Sequence, residues 1–185
     1  MTERPWLGLP LAGLLLGALV SAGGSDLPAV SKHIIQVEPR VWLAGALDMD
    51  GLRYWDPTST VIIDLRTEDE GIAQQRIEVQ ALGMDYYNVP VAGATLVDAD
   101  LLRVGTLLRE RSADSVILHC ASGNRAGMVW GALQLDDGQD LATVLDAVSG
   151  VVTKNSITQA LRNRAAVDAA RTGSEQPATP SLTSP

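Results

Sequence analysis

The segment from Val116 to Leu133 constrains this chain more than any other stretch. Val116-Ile117-Leu118 is a short unbroken apolar run, the pattern of a strand buried on both faces. Ala126, Val129, Trp130 and Leu133 then recur at i, i+3, i+4 and i+7, one face of an amphipathic helix. Between them, His119-Cys120-Ala121-Ser122-Gly123-Asn124-Arg125 reads as a strand end, a tight loop and the first turn of that helix. Gly127 and Gly131 lie one turn apart and let the helix approach its neighbours closely. The chain therefore sets a cysteine and an arginine across a loop at a helix N-terminus.

That arrangement has a chemistry. A thiol is nucleophilic as thiolate, and a helix N-terminus and an arginine both favour the anion. Loop amides from Ala121 to Ala126, turned inward, form a concavity suited to a phosphate dianion. Arg125 adds a planar fork able to hold two oxygens of the anion at once. Cys120 is then placed to attack phosphorus, giving a phosphocysteine that water hydrolyses. Gly123 permits a backbone turn that a Cβ would obstruct.

The segment resembles the signature loop of the cysteine-dependent protein tyrosine and dual-specificity phosphatases, His-Cys-x5-Arg, and its wording is most similar to a group of small bacterial tyrosine-phosphatase-like proteins. The strong likeness runs from Val116 to Gly131; weaker echoes are Val41-Trp42-Leu43-Ala44-Gly45, Val61-Ile62-Ile63-Asp64-Leu65-Arg66 and Tyr87-Asn88-Val89-Pro90-Val91, so that it spans residues 30 to 165. The resemblance implies an α/β fold with a central, mostly parallel sheet flanked by helices, of the dual-specificity type. It also implies that His119 orients the cysteine loop by hydrogen bonds, and that no cofactor or metal takes part.

Two positions depart from the family pattern. The residue after the loop arginine is usually Ser or Thr, whose hydroxyl helps the thiolate leave; here it is Ala126, and Ser122 either substitutes in part or faces solvent. In the family an aspartate that protonates the leaving oxygen follows the segment resembled by Tyr87 to Val91, but this chain has Ala92-Gly93-Ala94-Thr95. The nearest downstream carboxylates are Asp98 and Asp100. Asp98 is the candidate acid, and either residue also suits the N-cap of the helix beginning at Leu101. A positioned acid is worth about 10²–10⁴-fold; without one, aryl esters, whose phenol has a pKa of about 10, are favoured over alkyl phosphates.

The formal net charge of −8 argues against a nucleic-acid binder, which needs a basic stripe. No Gly-x-x-x-x-Gly-Lys-Ser/Thr loop occurs, which removes the nucleotide-triphosphatase class. Two histidines and one cysteine in 185 residues make a Cys/His zinc site improbable. The partner expected is a phosphorylated protein or a small phosphomonoester. Rival readings of the same loop are a pseudophosphatase that binds without turnover and a sulfurtransferase, whose rhodanese-type loops place fewer residues between Cys and Arg.

Residues 1–22 read as an export signal: Arg4 precedes a seventeen-residue apolar stretch from Trp6 to Ala22 that ends in small residues. Gly8, Pro10, Gly13 and Gly17 make it a poor membrane span, although an uncleaved anchor is the alternative. The expectation is a periplasmic or secreted protein of bacterial type, with membrane contact only if the segment is retained. In an oxidising compartment a solitary cysteine has no intramolecular disulfide partner. Residues 23–30 read as a linker, 31–170 as the catalytic domain, and 171–185 as a Ser/Thr/Pro/Gly-rich disordered tail.

Within the domain, strands are expected at Val41–Ala46, Val61–Leu65, Met84–Val91 and Val116–His119, and helices at Glu68–Leu82 (closed by Gly83), at Leu101–Arg111 and from about Ser156. Leu141, Val144, Leu145, Val148, Val151 and Val152 form a helical stripe behind a cap at Asp140. Tyr54, Trp55, Tyr86 and Tyr87 either wall an aromatic substrate pocket or pack in the core.

Overall fold

The computed structural model describes residues 29–174; the expected export signal and most of the expected linker and tail lie outside them. A five-stranded sheet forms the centre, in the order β1-β2-β5-β3-β4. The strands are β1 (Ile34–Glu38), β2 (Val41–Ala44), β3 (Thr60–Asp64), β4 (Asp85–Asn88) and β5 (Ser115–His119). All neighbours run parallel except β1, which pairs antiparallel with β2. The expected mostly parallel α/β sheet is present.

The helices are α1 (Met49–Leu52), α2 (Ile72–Ala81), α3 (Asp98–Glu110), α4 (Asn124–Asp136), α5 (Leu141–Ala147) and α6 (Asn155–Ser174). They cover both faces of the sheet, so the central strands read as continuous apolar runs rather than alternating ones. Val61, Ile63, Val116 and Leu118 face the core shared with α3, α4 and α6. Ile62 and Ile117, pointing the other way, pack with Leu52 and Val79 of α1 and α2.

Helix α4 sits against its neighbours as its glycines require. A Cβ on Gly127 would lie 2.4 Å from Val152 Cγ2, and one on Gly131 3.0 Å from Val144 Cγ1. Asp140 caps α5, accepting from Thr143 N at 3.0 Å. That helix stops at Ala147, so Val151 and Val152 belong to the following turn and pack against the glycines of the loop and of α4.

Four boundaries differ from expectation. The helix expected over 68–82 is broken at Gly71, whose φ of 77° ends a 3₁₀ turn (Glu68–Glu70) and opens α2. Strand β4 ends at Asn88; Val89 and Val91 still donate to Asp64 O and Leu65 O, at 2.9 and 3.0 Å, but Pro90 has no N–H to continue a ladder. Helix α3 opens at Asp98 behind Val97, which makes no side-chain cap, so neither Asp98 nor Asp100 is its N-cap residue. Helix α6 continues past Arg171, the expected start of the tail. None of the described helices is long and apolar enough to cross a membrane.

Candidate active site

Strand β5, fully buried at its end, delivers Cys120 to the carboxyl edge of the sheet. The His119 carbonyl accepts from Leu65 N at 2.9 Å and Cys120 N donates to Ala44 O at 3.2 Å, so β3 and β2 fix the cysteine from both sides. The Cys120 side chain is 1 % exposed. The loop then folds onto the end of β2: Ala46 N donates to Ala121 O at 3.2 Å, and Ser122 bridges Gly45. Gly123 has a φ of 87°, and a Cβ there would meet Val151 Cβ at 2.9 Å. Only glycine fits this turn on both counts.

Asn124, whose backbone amide is among the expected phosphate-binding donors, uses its side chain as a tether. Its Oδ1 accepts from Thr153 N and Lys154 N, both at 2.9 Å, and its Nδ2 donates to Ser122 Oγ and Thr153 Oγ1, both at 3.2 Å. The side chain clamps the loop to the α5–α6 connection, which leaves only its backbone for an anion. Ser122 is exposed and its hydroxyl is engaged by this tether. Ala126 is fully buried and puts no hydroxyl near the sulfur.

Arg125 is held from three sides. Its Nη1 donates to Glu70 Oε2 at 2.7 Å, Val91 O at 3.0 Å and Leu65 O at 3.3 Å, and its Nη2 to Glu70 Oε1 at 2.5 Å. The hydrogen bond to Glu70 is the main cause that raises the guanidinium pKa, and the Cys120 sulfur adds to it. Nε and the second Nη2 hydrogen remain for the sulfur and an incoming anion. Glu70 in turn is held down at about 2, chiefly by its hydrogen bond from Arg125, with Thr67 adding to the effect against a modest burial penalty. It is ionised at every ordinary pH.

Glu70 is the site residue that the sequence reading missed. Its signal was present as Thr67-x-x-Glu70, a capping box at a turn start. Thr67 N donates to Glu70 Oε2 at 2.9 Å, as that motif requires.

Behind the loop lies a buried polar cluster. Asp64, fully buried, accepts from Arg66 N at 2.9 Å, Arg66 Nη2 at 2.7 Å and Tyr86 Oη at 2.7 Å. Burial alone would push its carboxyl up; these bonds outweigh it and hold the group below its usual range. His119 is also fully buried, 3.5 Å from Asp64 Oδ2 through Nε2, and among the described residues neither ring nitrogen has a hydrogen-bond partner. The resemblance implied that His119 orients the loop by hydrogen bonds. Its backbone does so through β3, and its ring fills space beside Asp64. Desolvation drops the imidazole to about 4, so it is neutral at pH 7.

A cavity of about 640 Å³ opens over this loop. Asp69, Glu70, Ala121, Ser122, Arg125 and Lys154 are among its walls, and Ala92-Gly93-Ala94 complete the rim. Among the described residues no aromatic side chain lines it: Trp55 packs edge-on against Trp42, Tyr86 serves Asp64, and Tyr87 contacts Arg111. Asp98 is not in the cavity. Its Oδ1 accepts from Arg164 Nη1 at 2.6 Å, and it lines a separate groove of about 840 Å³ with Asp136. Asp100 lines neither space. The structure therefore joins Cys120, Arg125 and the loop, and leaves Asp98 outside, because Arg164 on α6 holds it elsewhere.

The loop is shorter than the signature it resembles. Four residues, Ala121 to Asn124, separate Cys120 from Arg125. That is one fewer than in His-Cys-x5-Arg, and it is the shorter spacing associated above with sulfurtransferases. Among the described residues no group of three His, Cys, Asp or Glu side chains is arranged to hold a metal ion.

The fold defined by this sheet, loop and helix order is that of the protein-tyrosine-phosphatase-like proteins. A DUF442 protein of Shewanella putrefaciens CN-32, provisionally named a phosphatase, superposes with a TM-score of 0.63 at 18% identity, over 79% of this chain and 94% of its own. The catalytic core of the PP-IP phosphatase SIW14 of S. cerevisiae gives 0.61 at 13% identity, over 79% and 96%. P. aeruginosa TpbA, solved in complex with pTyr, gives 0.57 at 14% identity, over 74% and 90%. No family model and no curated protein matches the sequence.

Proposed function

We propose that this protein is an exported cysteine-dependent phosphatase that hydrolyses phosphomonoesters through a phosphocysteine, with Cys120 as nucleophile and Arg125 as the clamp on the transferring phosphoryl group. One observation carries the reading: a buried sulfur at the end of β5 lies beside a guanidinium whose far edge is gripped by Glu70 and two backbone carbonyls. The near edge of Arg125 then meets the equatorial oxygens without having to be ordered on binding. Loop amides up to Ala126 supply the remaining donors. The phosphatase fold of the structural neighbours supports the same chemistry.

Phosphotyrosine-like aryl esters, free or on a protein, are the first substrate class, since Ala92-Gly93-Ala94 carry no proton at the rim where the family acid usually stands. Ala126 slows breakdown of the phosphocysteine relative to a Ser or Thr at that position. Export is supported by the apolar stretch from Trp6 to Ala22 and by a single cysteine, which no second thiol of the chain can trap. The periplasm or the exterior is the proposed location.

The test is hydrolysis of p-nitrophenyl phosphate by reduced protein from acidic to neutral pH. Turnover blocked by vanadate and absent in Cys120→Ser is the expected result. Vanadate binding without turnover would mean a pseudophosphatase. A second reading, sulfur transfer, is favoured by the loop spacing of four residues. Thiocyanate formed from thiosulfate and cyanide, with no phosphate released from any ester, would replace the phosphatase reading with it.

A further inference from the structure

We propose that Asp69 is the general acid of this site, delivered from the turn after β3 and not from the segment after β4. The inference rests on the phosphatase reading above and supplies the proton donor which that reading lacks.

Expulsion of an alkoxide, and to a lesser degree of a phenoxide, is slowed unless the leaving oxygen is protonated as the bond breaks. The rim residues Ala92-Gly93-Ala94 have no proton to give, and Asp98 is bound to Arg164 in the other groove. The carboxylates lining the cavity over Arg125 are Glu70 and Asp69. Glu70 is spent: Oε1 and Oε2 both accept from Arg125, and Oε2 also from Thr67 N. Its ionised form is the one those donors hold.

Asp69 differs in each respect. Its Oδ1 accepts from Thr67 Oγ1 at 2.5 Å, and its Oδ2 has no hydrogen-bond partner among the described residues. The same Thr67 hydroxyl lies 3.0 Å from Glu70 Oε2, so a continuous chain runs Arg125, Glu70, Thr67, Asp69. The carboxyl is thereby fixed one hydroxyl away from the residue that grips the phosphate clamp. The turn itself is rigidly placed by the capping box at its start and by Gly71 at φ 77° at its end. The side chain is exposed on the cavity wall, where the leaving group departs.

Cys120 Sγ forms a bond to phosphorus while the P–O bond to the leaving group breaks, and the Asp69 Oδ2 proton passes to that oxygen. Asp69, now a carboxylate, takes a proton from the water that attacks phosphorus as the S–P bond breaks. Inorganic phosphate leaves with Cys120 and Asp69 restored.

The experiment compares two esters that differ in leaving-group acidity, phenyl phosphate and the far more acidic p-nitrophenyl phosphate, in wild type, Asp69→Asn and Asp98→Asn. Asp69→Asn is isosteric at an exposed position, and far-UV circular dichroism confirms its fold. Expected is a loss of about 10²–10³-fold in kcat/KM on phenyl phosphate, with a much smaller loss on p-nitrophenyl phosphate. Asp98→Asn behaves as wild type on both. Equal losses on both esters, no loss on either, or a leaving-group-dependent loss in Asp98→Asn each overturn the assignment while leaving the phosphatase reading in place. A wild-type protein silent on both esters overturns that reading, and this inference with it.

Discussion

Two clefts open at opposite ends of the parallel sheet, and each holds an arginine clamped by carboxylates. The larger, of about 840 Å³, is bordered by Val41 and Val116, the first residues of the paired registers of β2 and β5. The smaller, of about 640 Å³, lies beyond the other ends of β3 and β5, where Leu65 and Cys120 leave the sheet. Ligands of open α/β sheets bind outside the carboxyl ends of the strands, because there the loops and helix N-termini converge. Volume alone would select the wrong cleft. In the larger one, Arg164 is shared between Asp136, as shielded as Glu70 is, and Asp98, whose side chain is 84% exposed, so only the Asp98 arm is a solvated surface contact. In the smaller one, Arg125 and Glu70 are 13% and 28% exposed, and the guanidinium also donates to the backbone carbonyls of Leu65 and Val91.

The largest expected difference between the clefts is in Arg→Lys variants. Arg125→Lys keeps the charge but loses the fork that spans Glu70 on one edge and the anion on the other. Its kcat/KM on p-nitrophenyl phosphate should fall by about 10²–10³-fold, the loss seen when one oxyanion donor is removed. Arg164→Lys should change turnover by less than about twofold and register only as a small stability change. Comparable losses in both variants would mean that the larger groove takes part in the reaction.

This contrast also explains what the sequence could and could not convey. The β5–loop–α4 unit was legible because every constraint is local: the apolar run of Val116 to Leu118, the 3.6-residue stripe, and Gly123 and Gly127 at fixed offsets. The helix cap at Asp140 was legible for the same reason, needing only Thr143 three residues on. Asp98 was misplaced because its partner, Arg164, is 66 positions away, and no local pattern announces a salt bridge at that separation. Glu70 was passed over because an apparently continuous helical segment hid the left-handed turn at Gly71. Read through as helix, residue 70 sits on a solvated face; broken at Gly71, it turns toward Arg125, 55 positions on. The tether formed by the Asn124 side chain was illegible for the same reason, since Thr153 and Lys154, whose amides occupy its oxygen, lie 29 and 30 positions on.

Acid sensitivity should also divide the molecule by region. The Glu70 carboxyl, held at about 2 against an ordinary 4.5, is a folded-state pKa lowered below the unfolded one. Its contribution is complete above 4.5 and is lost as pH falls toward 2. His119 is lowered by burial to about 4 from 6.5. Below 6.5 the unfolded chain takes up a proton that the native ring refuses, so stability falls from 6.5 down through about 4. Urea unfolding measured against pH should therefore decline in two overlapping stages. His119→Asn should flatten the upper stage, and Glu70→Gln should remove the lower one while lowering the plateau near neutrality. An upper stage that survives in His119→Asn would show that the buried cluster behind the loop is not its source.

The smallest effect is expected at Asp98, and it is the most discriminating for the choice between clefts. Asp98→Asn removes the charge but keeps the shape, and Arg164 retains Asp136 through Nε and Nη2, both at 2.7 Å. An exposed ion pair contributes about 0.2–1 kcal/mol, and here half of a shared clamp remains, so the change in unfolding free energy should lie near the lower end of that range. Turnover should not change, because the larger groove and the cavity over the loop share no lining residue. A kcat loss in Asp98→Asn without a stability loss would require the carboxylate to leave Arg164 during catalysis and swing over the sulfur. The two clefts would then be two ends of one moving device, and the static separation drawn here would be wrong.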